Sequence, residues 1–240
     1  MTPDFTSSPT FACVKTLEAD LLRMESSIPE GTPHNALLSL HLYIVKIFLY
    51  EKAIDEADEP PPYAMYRFAR LHMLHACLDS ARLCFDAFHS IPLATLFVLP
   101  YTTWTSLGHA IVVLSKLSLF RTKDWDHAYM RSVLDFSECM DRLTQTLDSA
   151  RALAESTRER DARNSESQNV SQLFSMLLGT LQRVKAVHEA MYTAQMKASG
   201  ESTELLFESS GGTLTDDEML MPSATFFSDF FTDDYWQHFM

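Results

Sequence analysis

DHAYMRSVLDFSECMDRLTQTLDSARALA, residues 126–154, is the stretch whose pattern decides the fold. Its apolar positions Tyr129, Val133, Phe136, Met140, Leu143, Leu147, Ala150 and Ala154 recur in alternating steps of four and three. That is the 3.6-residue period of a helix with one buried face. Arg131, Asp135, Asp141, Arg142 and Asp148 fall elsewhere on the same helix and keep the remaining faces in water. The stretch therefore predicts one amphipathic helix from about Asp126, with Tyr129 through Ala154 turned inward.

The same period extends in both directions. Phe11, Val14, Leu17, Leu21 and Met24 form a stripe on a first helix from about Pro9 to Ser27. A second, from about Asn35 to Asp55, is apolar nearly all round between Leu37 and Leu49, as expected of a helix enclosed by others. A third, near Pro61 to His89, turns Leu71, Leu74, Leu78, Ala81, Phe85 and Phe88 one way. Asp79, Arg82 and Asp86 on it stand at helix-pairing spacing. Pro92 and Pro100 punctuate a short apolar element. A helix over about Thr102 to Ser118 follows, with Trp104, Leu107, Ile111, Leu114 and Leu117 inward. Glu155 to Asn169 lacks large apolar residues and reads as a surface connection or frayed helix end. A last long helix, about Val170 to Lys197, carries Leu173, Leu177, Leu181, Val184, His188 and Met191, and Ser199-Gly200 is its expected stop. With only 6 glycines and no alternating strand pattern, the expected class is all-α. The architecture is a bundle of about six long antiparallel helices over 1–199, followed by an acidic, aromatic tail over 200–240.

Charge divides the chain at the same place. The net charge is −13, and the tail holds nine Asp/Glu and no Lys or Arg, which leaves −4 for residues 1–199. This balance argues against direct nucleic-acid contact, which needs clustered Lys and Arg. Arg158, Arg160 and Arg163 are interleaved with Glu155, Glu159, Asp161 and Glu166 and read as a solvated stretch. Residues 87–115 contain no Asp, Glu, Lys or Arg, but prolines, histidines and hydroxyl residues interrupt the apolar runs. They read as the centre of a soluble fold, because a membrane span wants about 20 mostly apolar residues. The first nine residues have neither a basic region nor an apolar core, unlike a secretory leader. Cys13, Cys77, Cys84 and Cys139 form no CxxC pair, so a reducing compartment fits better than a disulfide framework.

The chemistry-bearing residues are scattered. His72 and His75 lie three apart near Cys77 and Cys84, but a closed structural zinc site takes four convergent ligands, and these cysteines are two turns apart. Ordinary packing is the better reading. There is no G-x-S-x-G elbow, no dinucleotide fingerprint and no phosphate loop. Asp216, Asp217 and Glu218, with Asp233 and Asp234, resemble Asp-rich magnesium motifs only in composition, since they fall in the polar tail. No catalytic, cofactor or metal residue is expected. The sharper feature is the tail sequence ATFFSDFFTDDYWQHFM, residues 224–240. On a helix Phe227, Phe231, Tyr235 and Phe239 succeed one another every four residues, with Phe230 at their edge and Asp229 and Asp233 on another stripe. Such a segment suits a hydrophobic groove. Three buried anchors supply roughly 5–9 kcal/mol gross, against an ordering cost of about 2–5 kcal/mol, so the affinity expected is weaker than micromolar. The groove belongs either to a partner or to this chain's own body. Phe227, Phe230, Phe231, Tyr235 and Trp236 are the expected partner-binding residues.

The wording of the middle of the chain resembles one family. LHMLHACLDSAR at 71–82, FDAF at 85–88, PYTTWTSLGHAIVVLSKLS at 100–118, WD at 125–126 and SVLDF at 132–136 together resemble the C-terminal regulatory region of fungal zinc binuclear-cluster (Zn2Cys6) transcription factors. The resemblance covers roughly residues 35–150. It implies an all-helical regulatory domain of a nuclear regulator, and many such factors sit beside secondary-metabolite gene clusters. The acidic, aromatic end is similar to an activation segment. The family's six-cysteine DNA-reading cluster has no counterpart among the 4 cysteines here, so no zinc or DNA contact carries over to any residue. The implied partners are proteins, a coactivator or a full-length factor with which the chain pairs. The alternative is a helical small-molecule-binding or enzymatic protein of a biosynthetic pathway, with residues 77–117 lining an apolar pocket.

Overall fold

The computed structural model describes residues 9–28, 35–55, 64–122, 124–160 and 166–205, with side chains over 12–28, 35–54, 67–122, 124–156 and 171–197. The described residues form nine helical segments and no strand: α1 (Pro9–Ser26), α2 (Ala36–Tyr50), α3 (Lys52–Asp55), α4 (Ala64–His89), α5 (Leu93–Leu96), α6 (Tyr101–Leu119), α7 (His127–Val133), α8 (Phe136–Arg160) and α9 (Glu166–Leu205). Six are 15 residues or longer, so the all-α expectation holds and so does the number of long helices.

The deciding stretch folds as two helices, where its periodicity predicts one. Asp126 caps α7 by accepting from the Ala128 and Tyr129 N–H groups. Leu134 is extended (φ −156°, ψ 103°), and the Asp135 carboxylate accepts from Glu138 N at 3.1 Å to start α8. A short acidic side chain at this point satisfies amides that a helix start leaves bare. The break resets the phase. Tyr129, expected inside, is 45% exposed, and Met130 is buried in its place. From Phe136 onward the predicted face is kept: Phe136, Met140, Leu143, Leu147, Ala150 and Ala154 are all buried.

α9 supplies the opposing face. Phe174, Leu177, Leu178, Leu181 and Val184 are buried, and polar pairs mark an antiparallel hairpin with α8: Ser137–Glu189, Asp141–Lys185 and Glu155–Ser171. Ser199-Gly200 does not stop α9, which continues to Leu205. One helical glycine costs about 1 kcal/mol, which a 40-residue helix absorbs. The connection expected over Glu155 to Asn169 is shorter too, because α8 runs to Arg160 and α9 begins at Glu166.

The other half is layered on α4. Its inward residues Leu74, Leu78, Ala81, Phe85 and Phe88 meet α2, α6 and α8, and Arg82 pairs with Asp86 on its outer side. Asn35 caps α2 by accepting from Leu37 N. α1 runs antiparallel to α2, tied by Lys46–Glu25 and Tyr50–Glu18. Rings fill the centre edge to face: Trp104 contacts Phe88 and Phe174, and Phe174 also meets Phe97. Such pairs add to simple area burial.

Side chains from remote segments close the helix ends on one side of the bundle. Arg70 is buried, donates to Ala53 O at 2.8 Å and lies over the Phe120 ring at 5.2 Å. Trp125 Nε1 donates to Leu117 O at 3.1 Å, and Gln195 Nε2 donates to Leu119 O at 3.0 Å. No described helix is long and apolar enough to cross a membrane.

Candidate functional site

Phe227, Phe230, Phe231, Tyr235 and Trp236 lie outside the described residues, as do Asp216, Asp217, Glu218, Asp233 and Asp234. The described body carries an apolar groove between α1 and α2. Cys13, Val14, Leu17, Leu21 and Met24 of α1 face Val45, Phe48 and Leu49 of α2 across an apolar groove of about 770 Å³, with Asp20 and Lys52 also on its lining. Only part of the α1 stripe is used by the core. Val14 and Leu21 are buried, whereas Leu17 (49%) and Met24 (54%) of the same stripe stay exposed. The reason is that, among the described elements, α1 packs mainly on α2. Across the groove Val45 (48%) and Phe48 (45%) are exposed too. Single exposed apolar residues need no explanation, but here four of them line one groove. The signal was present in the sequence: α2 is apolar on every side, and the body encloses only part of it.

A second concavity of about 320 Å³ lies where α6 ends, α7 gives way to α8, and α9 passes. Its lining includes Ser118, His127, Arg131, Asp135, His188 and Tyr192. His188 stacks on Phe136 at 3.7 Å between ring centroids. The Ser118 hydroxyl donates to Ser115 O at 2.8 Å, so its oxygen accepts from His188 Nε2 at 2.5 Å. His188 Nδ1 is buried with no partner among the described residues. Burial penalises the imidazolium and pulls the His188 pKa down to about 4, although Asp135 opposes the shift. The ring is therefore neutral at physiological pH and acts as a packed spacer.

The other candidates resolve into structure. The pocket expected from residues 77–117 is filled: Cys77, Leu78, Ala81, Cys84, Phe85, Phe88, Trp104, Leu107, Ile111, Leu114 and Leu117 form the solid core. His72 is exposed, while His75 packs against the rings of Trp125 and Tyr129. Among the described residues no three His, Cys, Asp or Glu side chains converge as a metal site. Burial pushes the Cys77 thiol far up and those of Cys84 and Cys139 to about 12, which holds all three protonated and poorly nucleophilic. Cys13 is free and exposed at the groove.

Residues 93–239 match the model of the ATEG07667_C family, described as a C-terminal domain. The match runs from α5 to within one residue of the chain's end, across the 199/200 boundary and through the aromatic segment. The chain is also 32% identical over 126 residues to the transcription factor opdL of Penicillium oxalicum, an alignment of 51% of this chain and 21% of that protein. It thus spans about a fifth of the relative's length. No solved structure matches the chain. The similarity bears out the resemblance to the C-terminal region of a fungal transcription factor.

Proposed function

Since the chain belongs to the ATEG07667_C C-terminal-domain family, we propose that it is a transcriptional regulator-like protein that acts by protein–protein contacts in the nucleus. Its helical body is a regulatory platform, and its acidic, aromatic end recruits a coactivator through Phe227, Phe230, Phe231, Tyr235 and Trp236. DNA is reached through a partner carrying its own reading module, and the genes governed belong to a secondary-metabolite cluster. The protein carries out no bond-making chemistry of its own.

The observation behind this reading is the 32% identity to a transcription factor. Two features support it. The family match extends through the aromatic segment, so that segment belongs to the family unit. The thiols at Cys77, Cys84 and Cys139 are held protonated, which fits packing better than catalysis.

The test is a reporter assay with residues 200–240 fused to a heterologous DNA-binding domain. Activation is expected, and it should fall to background when the five aromatics become Ala. Background activity from the native segment would sink the recruitment reading. A fluorescent fusion of the whole chain that stays outside the nucleus would sink the nuclear one.

A further inference from the structure

We infer that the α1/α2 groove is the seat of this chain's own aromatic segment, Phe227 to Phe239, so that the tail rests on the body when no partner holds it. The inference deepens the recruitment reading by giving the same side chains a resting place.

Three observations meet here. The first is size. From Cys13 to Met24 the α1 wall rises about 17 Å, and a helix from Phe227 to Phe239 rises about 18 Å at 1.5 Å per residue. The groove presents Leu17 and Met24 on one wall and Val45 and Phe48 on the other to a segment whose anchors recur every fourth residue.

The second is position. A chain of contacts joins the end of the bundle from which α9 departs to the Lys52 end of the groove. Gln195 of α9 reaches Leu119, the neighbouring Phe120 lies under Arg70, and Arg70 reaches Ala53, which follows Lys52. From Leu205 to Phe227 is 22 residues. They reach about 70 Å when extended, more than the diameter of about 40 Å expected for a body of about 200 residues.

The third is amphipathicity on both sides. The groove is walled by apolar side chains, and among the described residues that line it only Asp20 and Lys52 are charged. With Phe227, Phe231, Tyr235 and Phe239 seated, Asp229 and Asp233 occupy another stripe of the helix and stay in water.

Cys13 reports occupancy directly, since it lines the groove and is exposed, whereas Cys77, Cys84 and Cys139 are buried. A stripe that binds as weakly as about 100 μM in trans, tethered at an effective concentration of about 1 mM, is seated about nine-tenths of the time and slows labelling about tenfold. The experiment measures iodoacetamide labelling of Cys13 by mass spectrometry in the full chain, in Phe227→Ala/Phe231→Ala/Tyr235→Ala, and in Val45→Asn. Both variants should label about ten times faster than the parent, independent of protein concentration. Cys77, Cys84 and Cys139 should stay unlabelled in all three, which certifies the fold. Equal Cys13 rates in the three proteins would overturn the inference. So would shielding that grows with protein concentration alongside dimers, because the occupant would then be a second copy. The reporter assay separates the two proposals. A tail that activates while Cys13 labels at equal rates leaves recruitment standing and removes the seat, and a shielded Cys13 with an inactive tail does the reverse.

Discussion

Acid should destabilise this protein through one imidazole. His188 is 5% exposed, stacked on Phe136, and its pKa is pulled from 6.5 to about 4 by burial. The sign follows from linkage. Between pH 6.5 and 4 the unfolded chain binds a proton at this site and the folded chain does not, so stability falls as pH falls. With these two pKa values the contribution lost between pH 7 and pH 5 is about 2 kcal/mol, a considerable share of the roughly 5–15 kcal/mol that holds a domain together. The matched perturbation is His188→Phe, which keeps a ring against Phe136 but cannot titrate. Ser118 still donates to Ser115 O in that variant, so no hydroxyl proton is orphaned. Burial also lowers the pKa values of His89 and His127, but their contributions occur in both proteins and cancel in the comparison. Urea unfolding of parent and variant at pH 7 and pH 5, followed by circular dichroism, gives four stabilities. The parent should lose about 2 kcal/mol more than the variant over this interval. Parallel losses would show that His188 is protonated in the folded state with little cost, and the account of its burial would be wrong.

Two further outcomes follow from the packing. Phe174→Ala removes a fully buried ring that touches Phe97 and Trp104 and should cost about 3–5 kcal/mol in urea unfolding at pH 7. Asp135→Ala removes the cap at the α7–α8 break and should cost about 1 kcal/mol, with faster hydrogen exchange confined to the first turn of α8.

Periodicity gave the fold class because the long helices bury one face each: the inward sets on α4, α6 and α8 are those that spacing alone selects. It failed where a local polar contact competes with the pattern. Asp135 looked like one more solvent-facing acid, yet its carboxylate opens a new helix and moves the buried position from Tyr129 to Met130. It failed also at the rim of the body, because spacing says which residues share a face and not whether another helix covers that face. Spacing put Leu17 and Met24 on one stripe with Val14 and Leu21, yet the first two are exposed on a groove wall and the last two are buried. The pocket expected from residues 77–117 was an apolar run without a shape, and packing closed it. His188 was legible as an inward residue on α9, but its neutrality was not, because that depends on Phe136 and on burial by elements some fifty residues or more away in the chain.

Helix-end carbonyls are usually answered by chemistry a few residues away. In α3 and α6 the answer comes from afar: Arg70 takes Ala53 O from 17 residues away, and Gln195 takes Leu119 O from 76. Each of these carbonyls loses its partner whenever the distant donor withdraws, and the final turn then frays. Melting at the edge and loosening at the centre thereby become one event. A denaturation curve of the body should be a single sigmoid, with no shoulder for a peripheral turn coming undone early.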